Sequence, residues 1–188
     1  TQDEEDKASD FDLAEMVADY YSWSLRTDGV TFYIRREHKW EKLSPKDKSH
    51  WKLIKYFLRN KCSNKPSQSK KRLTDVLACL HAEESMFVAA DVWDSNPRIL
   101  NTPSGIVDLT TGELHERGET DFVTMVTRCS PVSGPTQKFD RFMSEIFTEE
   151  DWGDDAQEVI DFVIGVMALC ISGEQIEQLF FFLYGSGP

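Results

Sequence analysis

Six apolar residues follow one another without alternation, Leu179-Phe180-Phe181-Phe182-Leu183-Tyr184, and break into Gly185-Ser186-Gly187-Pro188. A strand wet on one face alternates, whereas an unbroken apolar run suits a central strand buried on both faces. Such a strand ending in a glycine-rich turn is how a phosphate-binding loop begins, with backbone N–H groups at a helix start cradling phosphates. Against the pattern G-x-x-x-x-G-K-[ST], Gly185 fits the first glycine; the second glycine, the lysine and the hydroxyl residue would come next. Gly185, Ser186, Gly187 and Pro188 are therefore the candidate nucleotide-binding residues. The local residues alone leave open a terminal strand followed by a disordered tail, since turns of this composition are common.

A chain of 188 residues, 40% apolar and 12% aromatic, can bury a real core, as one domain or two small ones. It opens on the acidic run Thr1-Gln2-Asp3-Glu4-Glu5-Asp6 without an initiating Met, which reads as a linker within a longer polypeptide. No signal peptide is visible. The longest apolar stretch, Val163 to Ile171, is closed by Ser172-Gly173-Glu174 and is far short of the roughly 20 residues that cross a bilayer. Cys62, Cys79, Cys129 and Cys170 lie far apart with no His at ligand spacing, which predicts neither zinc nor disulfides and fits a reducing cytoplasm.

The net charge of −12 conceals an asymmetry. Between Arg35 and Arg72 stand 14 Lys and Arg against three acids, a net of +11; the remainder carries seven basic and 30 acidic side chains, a net of −23. A basic middle between acidic flanks is how a locally DNA-facing surface would read. The candidate DNA-binding residues are Lys39, Lys42, Lys46, Lys48, Lys52, Lys55, Arg59, Lys61, Lys65, Lys70, Lys71 and Arg72, with Trp40, Trp51 and Tyr56 interleaved as stacking rings. The alternative is a solvated helix face with the aromatics turned into the core.

Periodicity predicts a helix from Asp10 or Asp12 to about Tyr21, with Leu13, Met16, Val17 and Tyr20 along one face. Asp28-Gly29 is a turn, Phe32-Tyr33-Ile34 a strand, and Lys39 to Leu43 its hairpin partner. Ser44-Pro45 predicts a helix start, carrying Trp51, Ile54, Tyr56, Phe57 and Leu58 inward. A second helix is expected from about Ser67 to Ala82. Leu100 to Gly105 reads as a turn, Ile106 to His115 as a tight hairpin turning at Gly112, and Phe122 to Thr127 as a further strand. Pro131 to Pro135 reads as a boundary. Beyond it come an amphipathic helix marked by Phe139, Phe142, Met143, Ile146 and Phe147, then a helix from Asp154 or Asp155 that stops at Gly173.

No catalytic constellation is apparent. Asp108 and Glu113 flank a turn and do hairpin chemistry; His38, His50, His81 and His115 form no triad or ligand set. The acidic groups Glu149-Glu150-Asp151 and Asp154-Asp155 read as helix capping rather than a cation site.

The stretch Trp93-Asp94-Ser95-Asn96-Pro97-Arg98-Ile99-Leu100-Asn101-Thr102-Pro103-Ser104-Gly105-Ile106-Val107-Asp108-Leu109-Thr110-Thr111-Gly112-Glu113-Leu114 resembles the phage/plasmid and poxvirus primase–helicase family. There a D-x-x-P-x-L-L-N-x-x-N-G-V-x-D-L-x-T-G-x-L segment precedes a superfamily 3 helicase motor. Ser104 stands where Asn is usual and Ile99 replaces Leu. Phe32-Tyr33-Ile34 with Trp40 looks like the family's aromatic hairpin, Phe139 to Phe147 like its F-x-x-F-L-x-x-I-F helix, and Gln178 to Pro188 like the lead into its Walker A loop. The resemblance implies an AAA+ type motor that hydrolyses ATP with Mg²⁺, forms a hexamer and moves on single-stranded DNA, with a priming module upstream in many members.

The expectation is thus an α+β chain, mainly helical with small β-hairpins, whose C-terminal strand belongs to a truncated AAA+ type α/β motor. Residues 1–10 are the linker, 11–130 the helical and hairpin domain, and 131–188 the motor's entry helices and first strand. The segment would link priming and motor modules in DNA replication, support ring assembly, and guide single-stranded DNA through residues 35–72. Alternatives are a pure oligomerisation collar or a part of the primer-synthesis enzyme. ATP and Mg²⁺ belong to the longer protein, so no cofactor, metal or catalytic residue is expected in this chain. It should act in the cytoplasm of a bacterial host or infected cell, away from membranes.

Overall fold

The computed structural model describes residues 8–46, 48–62, 69–174 and 180–182. Ser9 rather than an aspartate starts the first helix, α1 (Asp10–Tyr20): its hydroxyl accepts from the Asp12 N–H at 3.2 Å while the Asp12 carboxylate accepts from the Ser9 N–H at 2.7 Å. This reciprocal box satisfies two N–H groups that a helix end otherwise leaves orphaned, and it holds the Asp12 carboxyl below its ordinary range. Ser9→Ala should cost about 1 kcal/mol in chemical denaturation; an unchanged midpoint would mean that α1 is held by packing alone.

Three short antiparallel strands follow, β1 (Leu25–Thr27), β2 (Phe32–Arg35) and β3 (Trp40–Lys42), in that spatial order. Asp28 makes the expected turn by accepting from the Val30 and Thr31 N–H groups at 2.9 and 2.6 Å. Two helices complete this half, α2 (Ser49–Asn60) and α3 (Lys70–His81). The α2 helix starts later than Ser44-Pro45 predicts. That pair forms a turn of its own, in which the Ser44 hydroxyl accepts from the Lys46 N–H, and Lys48 in a left-handed conformation (φ 56°) redirects the chain into the helix. Ser69, not Ser67, caps α3.

The core lies where these elements meet: Leu13, Val17, Leu25, Phe32, Ile54, Leu58, Leu73, Val76, Leu80 and Met86 are all at most 5% exposed. Helix α1 packs chiefly on α3. Two sequence expectations fail here. Tyr20 and Tyr56, expected inward, are 42% and 52% exposed, because α1 and α2 bury their neighbouring Val17, Phe57 and Leu58 instead.

His81, at the end of α3, stacks on Phe32 with ring centroids 3.9 Å apart and bonds the Thr27 hydroxyl through Nδ1 at 2.7 Å. Burial, helped by the nearby His50, pushes its pKa below the ordinary 6.5 against the opposing pull of Asp28. The unfolded chain then binds a proton that folded His81 refuses, so this contribution is complete above 6.5 and is lost as pH falls below it. In urea titrations between about pH 5 and about pH 7.5, His81→Gln should lose stability on acidification less steeply than the parent chain. Equal slopes would remove His81 from the account.

A second antiparallel sheet, β4 (Ile99–Thr102), β5 (Gly105–Asp108) and β6 (Leu114–His115), follows two 3₁₀ turns at Glu84–Met86 and Ala90–Val92. The β5–β6 hairpin is as expected: Gly112 sits at φ 75°, its N–H bonded to the Asp108 carbonyl at 2.7 Å. Leu100 to Gly105 is more than the predicted turn. Ile99–Thr102 is a full strand paired to β5, and only Pro103-Ser104 turns. A Cβ on Gly105 would overlap the carbonyl oxygen of His115, so this position accepts no larger residue without opening the sheet.

Phe122 to Thr127 is not a strand. Its backbone bonds form no ladder and are shared among three places: the Phe122 carbonyl accepts from the Asp94 N–H at 2.9 Å, the Val123 carbonyl from the Trp40 N–H at 2.8 Å, and the Thr127 N–H donates to the Asn101 carbonyl at 3.0 Å. Helices α4 (Gln137–Ile146), α5 (Glu149–Trp152) and α6 (Ala156–Ile171) follow. Here Met143, Ala156 and Ile160 are buried, whereas Phe142, Phe162 and Ile171 are 53%, 62% and 53% exposed. The fold is α+β, as expected. Of the expected terminal strand only residues 180–182 are described; they form no strand, and Phe180 and Phe182 are 78% and 80% exposed. Neither described sheet pairs with residues 180–182.

Candidate nucleic-acid interface

The two sheets are joined by a seam of aromatic and polar contacts. Trp93 stacks on Tyr33 at 3.9 Å and meets Trp40 and Phe122 edge-on at 5.7 and 5.2 Å. Arg26 and Arg35 lie 5.9 and 6.0 Å from the Trp40 ring centre. Beside this cluster Asn101, 6% exposed, donates through Nδ2 to the carbonyls of His38 and Met125, each at 2.7 Å. Its Oδ1 accepts from Arg117 Nε at 2.8 Å, and Arg117 also donates to the carbonyls of Thr102, Pro103 and Glu37. The tip of the β2–β3 hairpin is thereby fixed to the second sheet. Sequence reasoning missed Arg117 and saw Asn101 only as a motif position.

This seam settles the status of Trp40. At 2% exposure it is a core residue and no stacking platform. Trp51 is half-buried, with the Lys48 ammonium 5.9 Å from its ring centre. Tyr56 remains exposed.

The twelve candidate DNA-binding residues fall into separate places. Lys39 and Lys42 belong to the β2–β3 hairpin, where Lys42 Nζ lies 5.9 Å from the Tyr33 ring centre. Lys46 and Lys48 stand in the turn before α2. Lys65 lies outside the described residues. At the start of α3, Lys71 pairs with Asp75 at 2.7 Å and Arg72 with Asp10 at 2.9 Å, so their charge is largely answered internally; Lys70 beside them is exposed. Helix α2 differs. Lys52, Lys55 and Arg59 recur at three- and four-residue spacing along its exposed side, and among the described residues no carboxylate pairs with them. Tyr56 sits in the same stripe, four residues after Lys52 and three before Arg59.

At the end of this stripe, Lys61 Nζ lies 5.2 Å from the centre of the Tyr20 ring. Tyr20 is braced edge-on against Tyr21 at 4.7 Å and tilted against Phe57 at 5.3 Å. Burial pushes the Tyr21 phenol up to about 12, with Tyr20 and Tyr56 adding to it.

Elsewhere the chemistry is sparse. A cleft of about 430 Å³ lies between β4 and the end of α6, lined by Ile99, Leu100, Val123, Met125 and Ile171 among others. Asp94, the one carboxylate that lines it among the described residues, is occupied by the Thr124 N–H at 2.7 Å and the Thr124 hydroxyl. Asp108 accepts from the Thr110 and Thr111 N–H groups, which lowers its pKa as a turn residue's would be lowered. Among the described residues no group of three or more His, Cys, Asp or Glu side chains is placed to hold a metal ion, and no helix is long and apolar enough to cross a membrane. Gly185, Ser186, Gly187 and Pro188 lie outside the described residues.

No curated protein matches the chain. The D5 N-terminal-like family matches residues 14–148, a span that takes in both sheets, the basic segment and the first helix beyond Pro135. The chain belongs to the D5 N-terminal-like family, the N-terminal region of phage and viral primase–helicases.

Proposed function

We propose that this chain serves DNA replication as a non-catalytic segment of a primase–helicase, joining a priming module to an AAA+ type superfamily 3 motor and guiding single-stranded DNA along the exposed side of α2. The observation that carries the DNA reading is the α2 stripe. Three cations that have no carboxylate partner among the described residues, on one helix face, are a repulsive arrangement that phosphates relieve, and each phosphate neutralised releases condensed counterions. ATP, Mg²⁺ and the hexameric ring belong to this reading through the longer protein. Gly185 to Pro188 would open its phosphate-binding loop.

The test is binding of a labelled single-stranded oligonucleotide across a salt series. The chain should bind with an affinity that falls steeply as salt rises, and Lys52→Glu/Lys55→Glu/Arg59→Glu should weaken it at least about tenfold and flatten the salt slope by about two to three. Changing Lys71 and Arg72 should matter less, since both are ion-paired. Binding that ignores the α2 triple change would remove this face from the reading.

One observation favours a second reading, an oligomerisation collar. Helix α6 is apolar almost all round, and such helices are normally buried, yet Phe162 and Ile171 stand exposed. A collar without DNA contact predicts a sedimenting oligomer and no salt-dependent oligonucleotide affinity.

A further inference from the structure

We propose that Tyr20 and Tyr56, with Lys61, form a platform on which unpaired nucleobases stack. The inference rests on the DNA-guiding reading of α2 and adds to it a site outside the basic segment, since Tyr20 belongs to α1. Single exposed aromatics need no explanation, but Tyr20 packs on Phe57, the residue next to Tyr56 on α2, and has Lys61 over its ring, so both rings stand beside the cationic stripe. Tyr20 is held in place by its contacts with Tyr21 and Phe57, so little ordering is required of it when a base arrives. The Lys61 ammonium already occupies space over the Tyr20 ring, as a cation attracted to its face does. A base sliding over that ring displaces the ammonium toward the phosphate that follows, exchanging a cation–π contact for a stacking contact plus an ion pair. Tyr56 stands between Lys52 and Arg59, so a base on its ring has cations on both sides for the flanking phosphates. Neither ring offers a base-specific edge. The platform therefore takes unpaired bases of any sequence, as aromatic platforms do.

The experiment uses the full chain and two fluorescein-labelled probes, an oligothymidylate of about 15 nucleotides and an abasic strand of the same length and phosphate count. The abasic strand should bind about tenfold more weakly than the oligothymidylate. Tyr20→Ala/Tyr56→Ala should bring oligothymidylate binding down to the abasic level while leaving the salt slope unchanged. Tyr20→Phe/Tyr56→Phe, which keeps the rings, should bind as the parent does and guards against misfolding of the alanine pair. Equal binding of the two probes by the unaltered chain overturns the platform while leaving the cationic face intact. No binding of either probe at low salt overturns both. Loss of self-association in the alanine pair, with oligonucleotide binding unmoved, would instead assign the rings to a contact between copies and overturn the proposal.

Discussion

Trp40→Ala is expected to lower the free energy of unfolding by about 4 kcal/mol, among the largest single-residue losses this fold can show. Trp40 is 2% exposed at the start of β3 and is touched from four sides: Trp93 and Phe122 against its ring, Arg26 and Arg35 within cation–π range. Truncation removes the ring and leaves a cavity where two sheets meet. That cavity is hard to close, because Trp93 is already stacked on Tyr33 and Arg117 holds the hairpin tip nearby. At this chain length the loss corresponds to a fall in melting temperature of roughly 8–16 °C. Trp40→Phe, which keeps a ring, should recover much of it. A loss below about 1.5 kcal/mol in urea denaturation would show that the seam relaxes freely and that the sheets are joined elsewhere.

Much of the fold is legible because the signals are local. The Asp28-Gly29 turn, the Gly112 turn and the stripe of α3 are each written within a dozen residues, and each stands where it is expected. Strand β4 is not, because Asn101-Thr102-Pro103-Ser104-Gly105 is dense in turn residues while the pairing that makes Ile99–Thr102 a strand comes from β5. Phe122 to Thr127 misleads in the opposite direction. Its Phe, Val and Thr content has strand propensity, but its backbone bonds go to Asp94, Trp40 and Asn101 on separate elements. The basic segment shows the same limit. Its excess of charge is plain in the sequence, yet only tertiary contacts reveal that Lys71 and Arg72 are answered by Asp75 and Asp10 while α2 stays open. Leu13, Met16, Val17 and Tyr20 share one helical face, but that face reaches the edge of the core before it reaches Tyr20.

The aromatic and polar halves of the seam have a consequence for function. The α2 face and the β4–β6 sheet belong to one structural unit only if the β2–β3 hairpin is held at its tip. Trp40 holds that hairpin from its second strand, while Asn101 and Arg117 hold it at the Glu37-His38 turn. Arg98 at the entry to β4 pairs with Glu174 just after α6, so the second sheet is tied to that helix as well.

Asn101→Leu is therefore expected to cost about 3 kcal/mol, more than a turn residue normally would. The buried amide makes three bonds to three elements, and leucine leaves the carbonyls of His38 and Met125 and one N–H of Arg117 without partners. Unsatisfied buried groups of this kind cost about 1–3 kcal/mol each when water cannot reach them, and the half-buried Arg117 recovers part of its share by turning outward. Asn101→Asp makes the argument sharper. It keeps an acceptor for Arg117 but sets a carboxylate oxygen against two carbonyl oxygens, so it should be no milder than leucine despite its near-identical shape. Combined with Arg117→Met, the leucine change should cost clearly less than the two separate losses together, with a coupling of at least about 1 kcal/mol. Hydrogen exchange separates a joint from a local turn. If Asn101 joins the sheets, Asn101→Leu speeds exchange at the Trp40 N–H, which bonds Val123, as well as at the β4–β5 ladder. If only the ladder responds and the double change is additive, Asn101 serves its own hairpin, and the β2–β3 tip is held by Trp40 alone.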